Sequence, residues 1–129
     1  MAIVSKIHNV SYLSDIKVDL NSAGLVAETD GSFSAPLAFV PAGAVVVRVS
    51  VKSLSKGDGV TELKVNSGFN AEKNLFVNDV DVVTTPATSA VIYKTLTDGV
   101  VTLNVAAKKE AVVEGFVEYY LPATIKTEI

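Results

Sequence analysis

Hydrophobic and polar residues alternate along several segments of the chain, most regularly in residues 44–54. Four valines take every second position there, and they alternate with Val46, Arg48, Ser50 and Lys52. Successive side chains of a β-strand point to opposite faces, so this alternation predicts a strand with one buried face. The predicted buried row is Val45, Val47, Val49 and Val51.

Two glycine-containing segments predict turns between neighbouring strands. Residues 55–59 read Ser-Lys-Gly-Asp-Gly, and residues 97–99 read Thr-Asp-Gly. An Asp-Gly pair tolerates the positive φ that tight hairpin turns require. We therefore predict two antiparallel hairpins, which join residues 44–54 to 63–66 and residues 90–96 to 101–105.

The last long strand is predicted to cover residues 111–121. It should end at Pro122, because proline cannot donate a backbone hydrogen bond to a neighbouring strand. The residues of its predicted inner row are Ala111, Val113, Gly115, Val117, Tyr119 and Leu121.

Weaker alternation predicts strands in residues 2–7 and 15–20, and a short strand in residues 32–39 that is interrupted at Pro36. Residues 70–83 fit either one helical turn or a loop and strand, and we interpret them as loop and strand.

The chain contains 23 valines among its 129 residues, and no segment sustains a helical period. Because β-branched side chains pack well on a pleated surface, this composition favours strands. We predict an all-β fold, an antiparallel β-sandwich or jelly-roll-like domain of about eight to nine strands. Residues 1–20 would form an N-terminal arm or the first strands, residues 21–122 the sandwich and residues 123–129 a tail.

Composition and charge exclude several classes of function. Cysteine is absent, so disulfides and thiolate metal sites are excluded. A net charge of −3 and a pI near 5.0 argue against nucleic acid as a partner. The longest uncharged stretch, residues 31–47, is interrupted by Pro36 and Pro41, which argues against a membrane span. Lys6 and His8 interrupt any signal-peptide core, so we expect synthesis in the cytoplasm.

The residue types that carry catalysis are scarce. The chain has one histidine, His8, which we interpret as a surface or interface residue. Two carboxylate pairs, Asp79 with Asp81 and Glu114 with Glu118, each fit one solvated face of a strand better than an acid–base pair. Residues 78–81 could offer oxygen ligands to calcium but lack the pattern of an EF-hand loop. We therefore predict no enzyme, catalytic residue, cofactor or metal site, with calcium left as an open alternative.

The outward face of the last strand carries the candidate interface. Val112, Phe116 and Tyr120 alternate there with Glu114 and Glu118. Large apolar side chains on an outward face are typical of a surface that another molecule covers. The alternative is that a loop of the same chain covers them.

The seven residues after Pro122 carry a second candidate contact. Ile125 and Ile129 fall on the same side of an extended chain. An extended segment of this kind can pair with an exposed sheet edge of a neighbour. We therefore predict that the tail, together with the arm, holds subunits of a homo-oligomer together or to a larger assembly.

Four segments carry a resemblance to a known class of protein. Val40-Pro41-Ala42-Gly43 opens the valine-rich strand, and Gly115-Phe116-Val117-Glu118-Tyr119-Tyr120 closes the domain. Residues 63–68 and 98–105 lie between them in the same order. Over about residues 24–121 the chain resembles small β-sandwich structural proteins of tailed bacteriophages.

The resemblance implies a virion protein without catalytic residues. The phage proteins of this class resemble auxiliary or decoration proteins of the capsid, or neck or tail adaptor and fibre modules. The expected partners are therefore the major capsid protein or neck and tail proteins. A carbohydrate-binding β-sandwich is the alternative, but such modules usually stack sugars on aromatic residues and this chain has no tryptophan.

Overall fold

The computed structural model describes residues 3–89 and 92–128, with side chains for residues 12–89 and 92–121. The described residues form strands, turns and loops, and none of them is helical. The predicted all-β class is confirmed. The ten strands are β1 (Ile3–Asp19), β2 (Val26–Ala27), β3 (Phe33–Val40), β4 (Val45–Lys56), β5 (Lys64–Phe69), β6 (Glu72–Asp81), β7 (Ala87–Ser89), β8 (Tyr93–Lys94), β9 (Gly99–Val105) and β10 (Ala111–Glu128).

The strands form two antiparallel sheets. The first sheet has the order β1-β10-β4-β7, and β8 also pairs with β4; the second has the order β2-β3-β9-β5-β6. The core lies between them, and the burial of its apolar side chains is the main source of stability. Fully buried members include Leu20, Val46, Val49, Val51, Leu63, Val65, Val101, Val113 and Val117.

The inner row of β10 is confirmed. Ala111, Val113 and Val117 are buried, and Tyr119 and Leu121 pack against the core from its margin. At Gly115 an added Cβ would lie 2.6 Å from Leu37 Cδ2, so the absence of a side chain makes room for Leu37.

Both predicted hairpins are wrong. β4 pairs with β10, β7 and β8 in the first sheet, whereas β5 pairs with β6 and β9 in the second. Likewise β8 pairs with β4, and β9 pairs with β3 and β5. Each connection is long enough to cross the roughly 10 Å between two packed sheets. The turn signals therefore mark crossings between sheets rather than tight hairpins.

The predicted inner row of β4 is wrong in its first half. Glu118 of β10 lies opposite Arg48, and the next residue, Tyr119, lies opposite Val46. Val47 is thus the extra residue of a β-bulge, which shifts the alternation by one residue. Val46 is fully buried in place of Val45 and Val47, which are half-buried, whereas Val49 and Val51 lie in the core as predicted.

The prediction that the last strand ends at Pro122 is also wrong, because β10 continues to Glu128. The pairing of β10 with β4 ends at Tyr120 opposite Val45, and beyond this point its described partner is β1. Pro122 therefore lies where one side of the strand needs no donor, a position that tolerates proline. We call the two-stranded extension formed by residues 3–10 and 121–128 the terminal ribbon.

Residues 70–83 contain strand, as interpreted from the sequence. β5 and β6 form a hairpin in which Phe69 lies opposite Glu72, and Asn70 takes a left-handed φ of 52° in the turn. The Asn70 side chain accepts a hydrogen bond from Val100 N at 3.0 Å, and Asn70 N donates to Val100 O at 3.0 Å. These bonds fix the hairpin to β9.

Candidate functional site

The predicted interface residues of β10 do not form one patch. Val112, Phe116 and Tyr120 are all half-buried on the outer face of the first sheet. Val112 and Tyr120 are eight positions apart along one strand, which separates them by about 27 Å. Phe116 lies midway, so the three side chains are brought onto one face but not into contact.

Charged side chains of β4 occupy the space between these residues. Lys52 Nζ lies 3.5 Å from Glu114 Oε1, and an Arg48 nitrogen lies 3.5 Å from Glu118 Oε2. Lys52 Nζ also lies 5.6 Å from the centre of the Phe116 ring. Part of the Phe116 surface is thus covered by a lysine of the neighbouring strand rather than by a loop. Two ion pairs between β4 and β10 therefore separate the apolar side chains on this face.

The predicted contact residues of the tail lie at the limit of the described structure. Residue Ile125 is paired with Lys6 in the terminal ribbon, as the register of β1 and β10 shows. Its side chain and the whole of Ile129 lie outside the described residues. The proposed role of the tail in assembly remains a prediction.

A more exposed apolar surface lies at the end of the sandwich from which the terminal ribbon extends. Phe39, Ile92 and Leu96 are 72%, 73% and 85% exposed, the largest values among the large apolar residues of the described side chains. Phe39 lies near the end of β3, and the other two flank β8. We call these three residues the apolar end. Large side chains held in water at one end of a domain are typical of a contact surface.

Hydrogen bonds fix the loop that carries Leu96. The Thr95 hydroxyl donates to Pro41 O at 2.7 Å, and Thr95 N donates to Ala44 O at 2.8 Å. Gly43, whose φ of 84° suits glycine, donates its N–H to Thr95 O at 2.9 Å. The side chain of Asp98 accepts the N–H of Ala42 at 2.8 Å. The exposed Leu96 is therefore held on an ordered loop, which lowers the entropy lost on binding.

Sequence reasoning missed the apolar end. Ile92 and Leu96 were assigned to a strand that was expected to pair with residues 101–105, and Phe39 to an interrupted strand. One signal was present in the sequence. In an extended strand Ile92, Lys94 and Leu96 lie on the same face, and the charge of Lys94 indicates that this face is exposed to solvent.

The carboxylates considered for catalysis have structural partners. Asp81 Oδ1 accepts hydrogen bonds from Leu63 N at 3.1 Å and Val83 N at 3.0 Å. The bond from Val83 N, and then that from Leu63 N, lowers the pKa of Asp81 below its usual value. Asp79 lies 3.8 Å from Lys64 Nζ. The two acids thus serve different local contacts rather than one reacting centre.

A further polar cluster closes the turn between β2 and β3. Lys73 Nζ lies 2.7 Å from Asp30 Oδ2, and the Ser32 hydroxyl donates to Asp30 Oδ1 at 2.5 Å. The hydrogen bond from Lys73, followed by those from Ser32, holds the pKa of Asp30 well below its usual range. Asn104 Nδ2 donates to Ser32 Oγ at 3.0 Å. Each group is satisfied by its neighbours, so the cluster supports the fold.

Two classes of site find no support within the described part of the chain. It contains no group of three or more His, Cys, Asp or Glu side chains placed to hold a metal ion. It also contains no helix of the length and apolar character that a membrane span requires.

Comparison with known proteins supports the predicted resemblance at the level of structure. No protein-family model and no curated protein matches the sequence. A chain of the acidic stable capsid structure of Helicobacter pylori bacteriophage KHP30 matches with a TM-score of 0.73 and 25% identity, over 98% of this chain and 100% of that one. A chain of the cyanophage Pam1 capsid asymmetric unit shares the fold, with a TM-score of 0.56 and 18% identity over 92% and 85% of the two chains. The predicted likeness to small structural proteins of phages is confirmed.

Proposed function

We propose that this chain is an auxiliary, or decoration, protein of a phage capsid that binds the shell through protein–protein contacts and adds binding energy to it. The end-to-end match with the KHP30 capsid chain carries the proposal. The likeness extends over the whole of that chain and over 98% of this one. A small separate subunit of a capsid fits an auxiliary role, and the proposal assigns no catalytic residue, cofactor or nucleic-acid contact.

The apolar end supports attachment at one end of the molecule. Complete burial of a Phe, Ile or Leu side chain contributes about 1.5–3 kcal/mol each. Burial of Phe39, Ile92 and Leu96 together would therefore contribute several kcal/mol to binding a shell protein. The terminal ribbon extends from this same end and would add contacts on the shell. Val18 and Leu20 belong to the core, so the C-terminal part of residues 1–20 is not an arm. In this proposal only the terminal ribbon acts as the arm and the tail.

Replacing the apolar end tests the proposal. We expect Phe39→Ser combined with Leu96→Ser to weaken binding to purified particles that lack the chain by about tenfold or more. The melting temperature of the isolated protein should change little, because both side chains are largely in water. Binding is measured by cosedimentation of labelled protein with the particles.

Val26→Ser provides the matched control. Val26 is also more than half exposed but lies on β2, away from the apolar end. Its substitution should leave particle binding unchanged. Equal binding by the double variant and the wild type would show that attachment does not use the apolar end, and failure of the wild type to bind would contradict the decoration role.

Two alternatives lead to different observations. A neck or tail adaptor would be present in few copies per particle rather than over the whole shell. A carbohydrate-binding module would retain glycans on an array and lose them when an exposed tyrosine such as Tyr12 is replaced.

A further inference from the structure

The outer edge of β1 presents unpaired backbone groups. β1 is the edge strand of the first sheet, and it pairs with β10 without a register shift. Leu20 N donates to Ala111 O at 2.9 Å, and Leu20 O accepts from Lys109 N at 3.1 Å, so the backbone of Leu20 faces β10. The direction of the backbone N–H and C=O groups alternates along a strand. The backbone groups of Ile16 and Val18 therefore also point toward β10, whereas those of Asp15 and Lys17 point outward.

This edge has few of the features that prevent strand pairing. Natural edge strands are usually short, bulged, interrupted by proline or heavily charged. Residues 12–19 are regular and contain no proline, and the apolar residues Leu13 and Ile16 are 59% and 37% exposed. The charges of Asp15, Lys17 and Asp19 are the one protecting feature present, and they are of both signs. No described strand covers this side of β1. The edge is therefore open to an added strand.

We propose that β1 of a second copy of this chain pairs with β1 edge to edge and antiparallel. The two-fold axis passes between Ile16 and the partner's Ile16, and each register below is named by the residue that meets its own copy at the axis. In this register Asp15 lies opposite the partner's Lys17, and Lys17 opposite the partner's Asp15. The outward backbone groups of these residues then exchange hydrogen bonds, while Ile16 meets the partner's Ile16. Charge complementarity therefore occurs twice, and an exposed isoleucine is buried at the axis. This inference is independent of shell binding.

Other two-fold registers are less favourable. An axis through Asp15 or Lys17 places each of those charges opposite its own copy, which is destabilising. An axis through Val18 pairs Lys17 with the partner's Asp19 but moves Asp15 opposite the partner's Asn21, which lies beyond the end of β1. Of the two registers that pair Lys17 with a carboxylate of the partner, the axis through Ile16 therefore gives the longer overlap, over residues 13–19.

Reversing the charges tests this register. Asp15→Lys and Lys17→Asp each place like charges opposite one another at two positions, so each should raise the dimer dissociation constant by about tenfold or more in sedimentation velocity. The double variant, Asp15→Lys with Lys17→Asp, restores opposite charges and should restore the dimer. Glu72→Lys, on the exposed edge strand β6 of the other sheet, should have no effect. Melting temperatures identify any variant that fails for lack of folding.

A cysteine cross-link supplies a second, geometric test. The chain has no cysteine of its own. Ile16→Cys would place two thiols across a non-hydrogen-bonded pair with Cα atoms about 4.5 Å apart, which a disulfide can span. Leu13→Cys is the control: it is more exposed, but its two copies would lie about 20 Å apart.

The outcomes are distinct. Under mild oxidation we expect a covalent dimer from Ile16→Cys and little from Leu13→Cys. A wild-type protein that remains monomeric, an oligomer that ignores the charge reversals, or preferential cross-linking of Leu13→Cys would overturn the proposal.

Discussion

Val46→Asp is expected to unfold the domain, whereas Val47→Asp is expected to leave it folded. Val46 is fully buried, so the substituted carboxylate would be an unpaired charge in the core. The cost is several kcal/mol, a large part of the roughly 5–15 kcal/mol that stabilises a small domain. Val47 is the half-buried residue of the bulge, where a carboxylate keeps contact with water. Chemical denaturation of both variants measures the difference.

Two neighbouring substitutions serve as controls. Val49→Asp should match Val46→Asp, because Val49 is fully buried on the other side of the bulge. Arg48→Ser should cost less than about 1 kcal/mol, since its ion pair with Glu118 is exposed to solvent. A larger loss from Val47→Asp than from Val46→Asp would show that β4 alternates without a bulge.

Gly68→Ala is expected to cost about 2–3 kcal/mol or more and to lower the melting temperature clearly. A Cβ at Gly68 would overlap the carbonyl oxygen of Glu72 and lie 2.6 Å from the carbonyl carbon of Lys73. Both obstacles belong to the backbone of β6, which cannot move aside as the end of a flexible side chain can. Thermal unfolding followed by circular dichroism measures the loss.

Gly59→Ala is the matched control for Gly68→Ala. Nothing lies within 4 Å of a Cβ built at Gly59, and its φ is not in the left-handed region. This variant should be as stable as the wild type. Equal melting temperatures for the wild type, Gly68→Ala and Gly59→Ala would mean that the backbone of β6 does not lie close to Gly68.

Local alternation was sufficient to predict the inner row of β10 but not that of β4. The inner row of β10 follows a strict period of two from Ala111 to Leu121, and the structure keeps that period on its core face. In β4 every residue from Val45 to Val47 is a valine, so the sequence contains no signal for the residue at which the alternation shifts. The bulge depends on pairing with β10, which lies more than 50 residues away in sequence.

The strand partners could not be predicted from turn signals. Asp98-Gly99 has the composition of a tight hairpin, yet Gly99 does not take a positive φ. An added Cβ at Gly99 would overlap the Phe69 ring, and Asp98 accepts the N–H of Ala42. Both residues thus serve contacts between segments distant in sequence. A reader of the sequence cannot separate this use from a hairpin turn.

The candidate surface shows the same limit. The alternation along β10 correctly predicted that Phe116 lies on the outer face. It could not predict that Lys52, which belongs to β4, covers part of the Phe116 ring. Leu96 attracted no attention because its exposure depends on hydrogen bonds between Thr95 and the turn before β4. Residue type and parity thus indicate the direction of a side chain, whereas its exposure depends on tertiary packing.

The copy number of the chain in purified particles tests the central claim most directly. Quantitative mass spectrometry of intact particles, calibrated against the major shell protein, measures it. A decoration protein should be present at a copy number of the same order as that of the shell protein. Absence from the particles, or only a few copies in each, would contradict the decoration role.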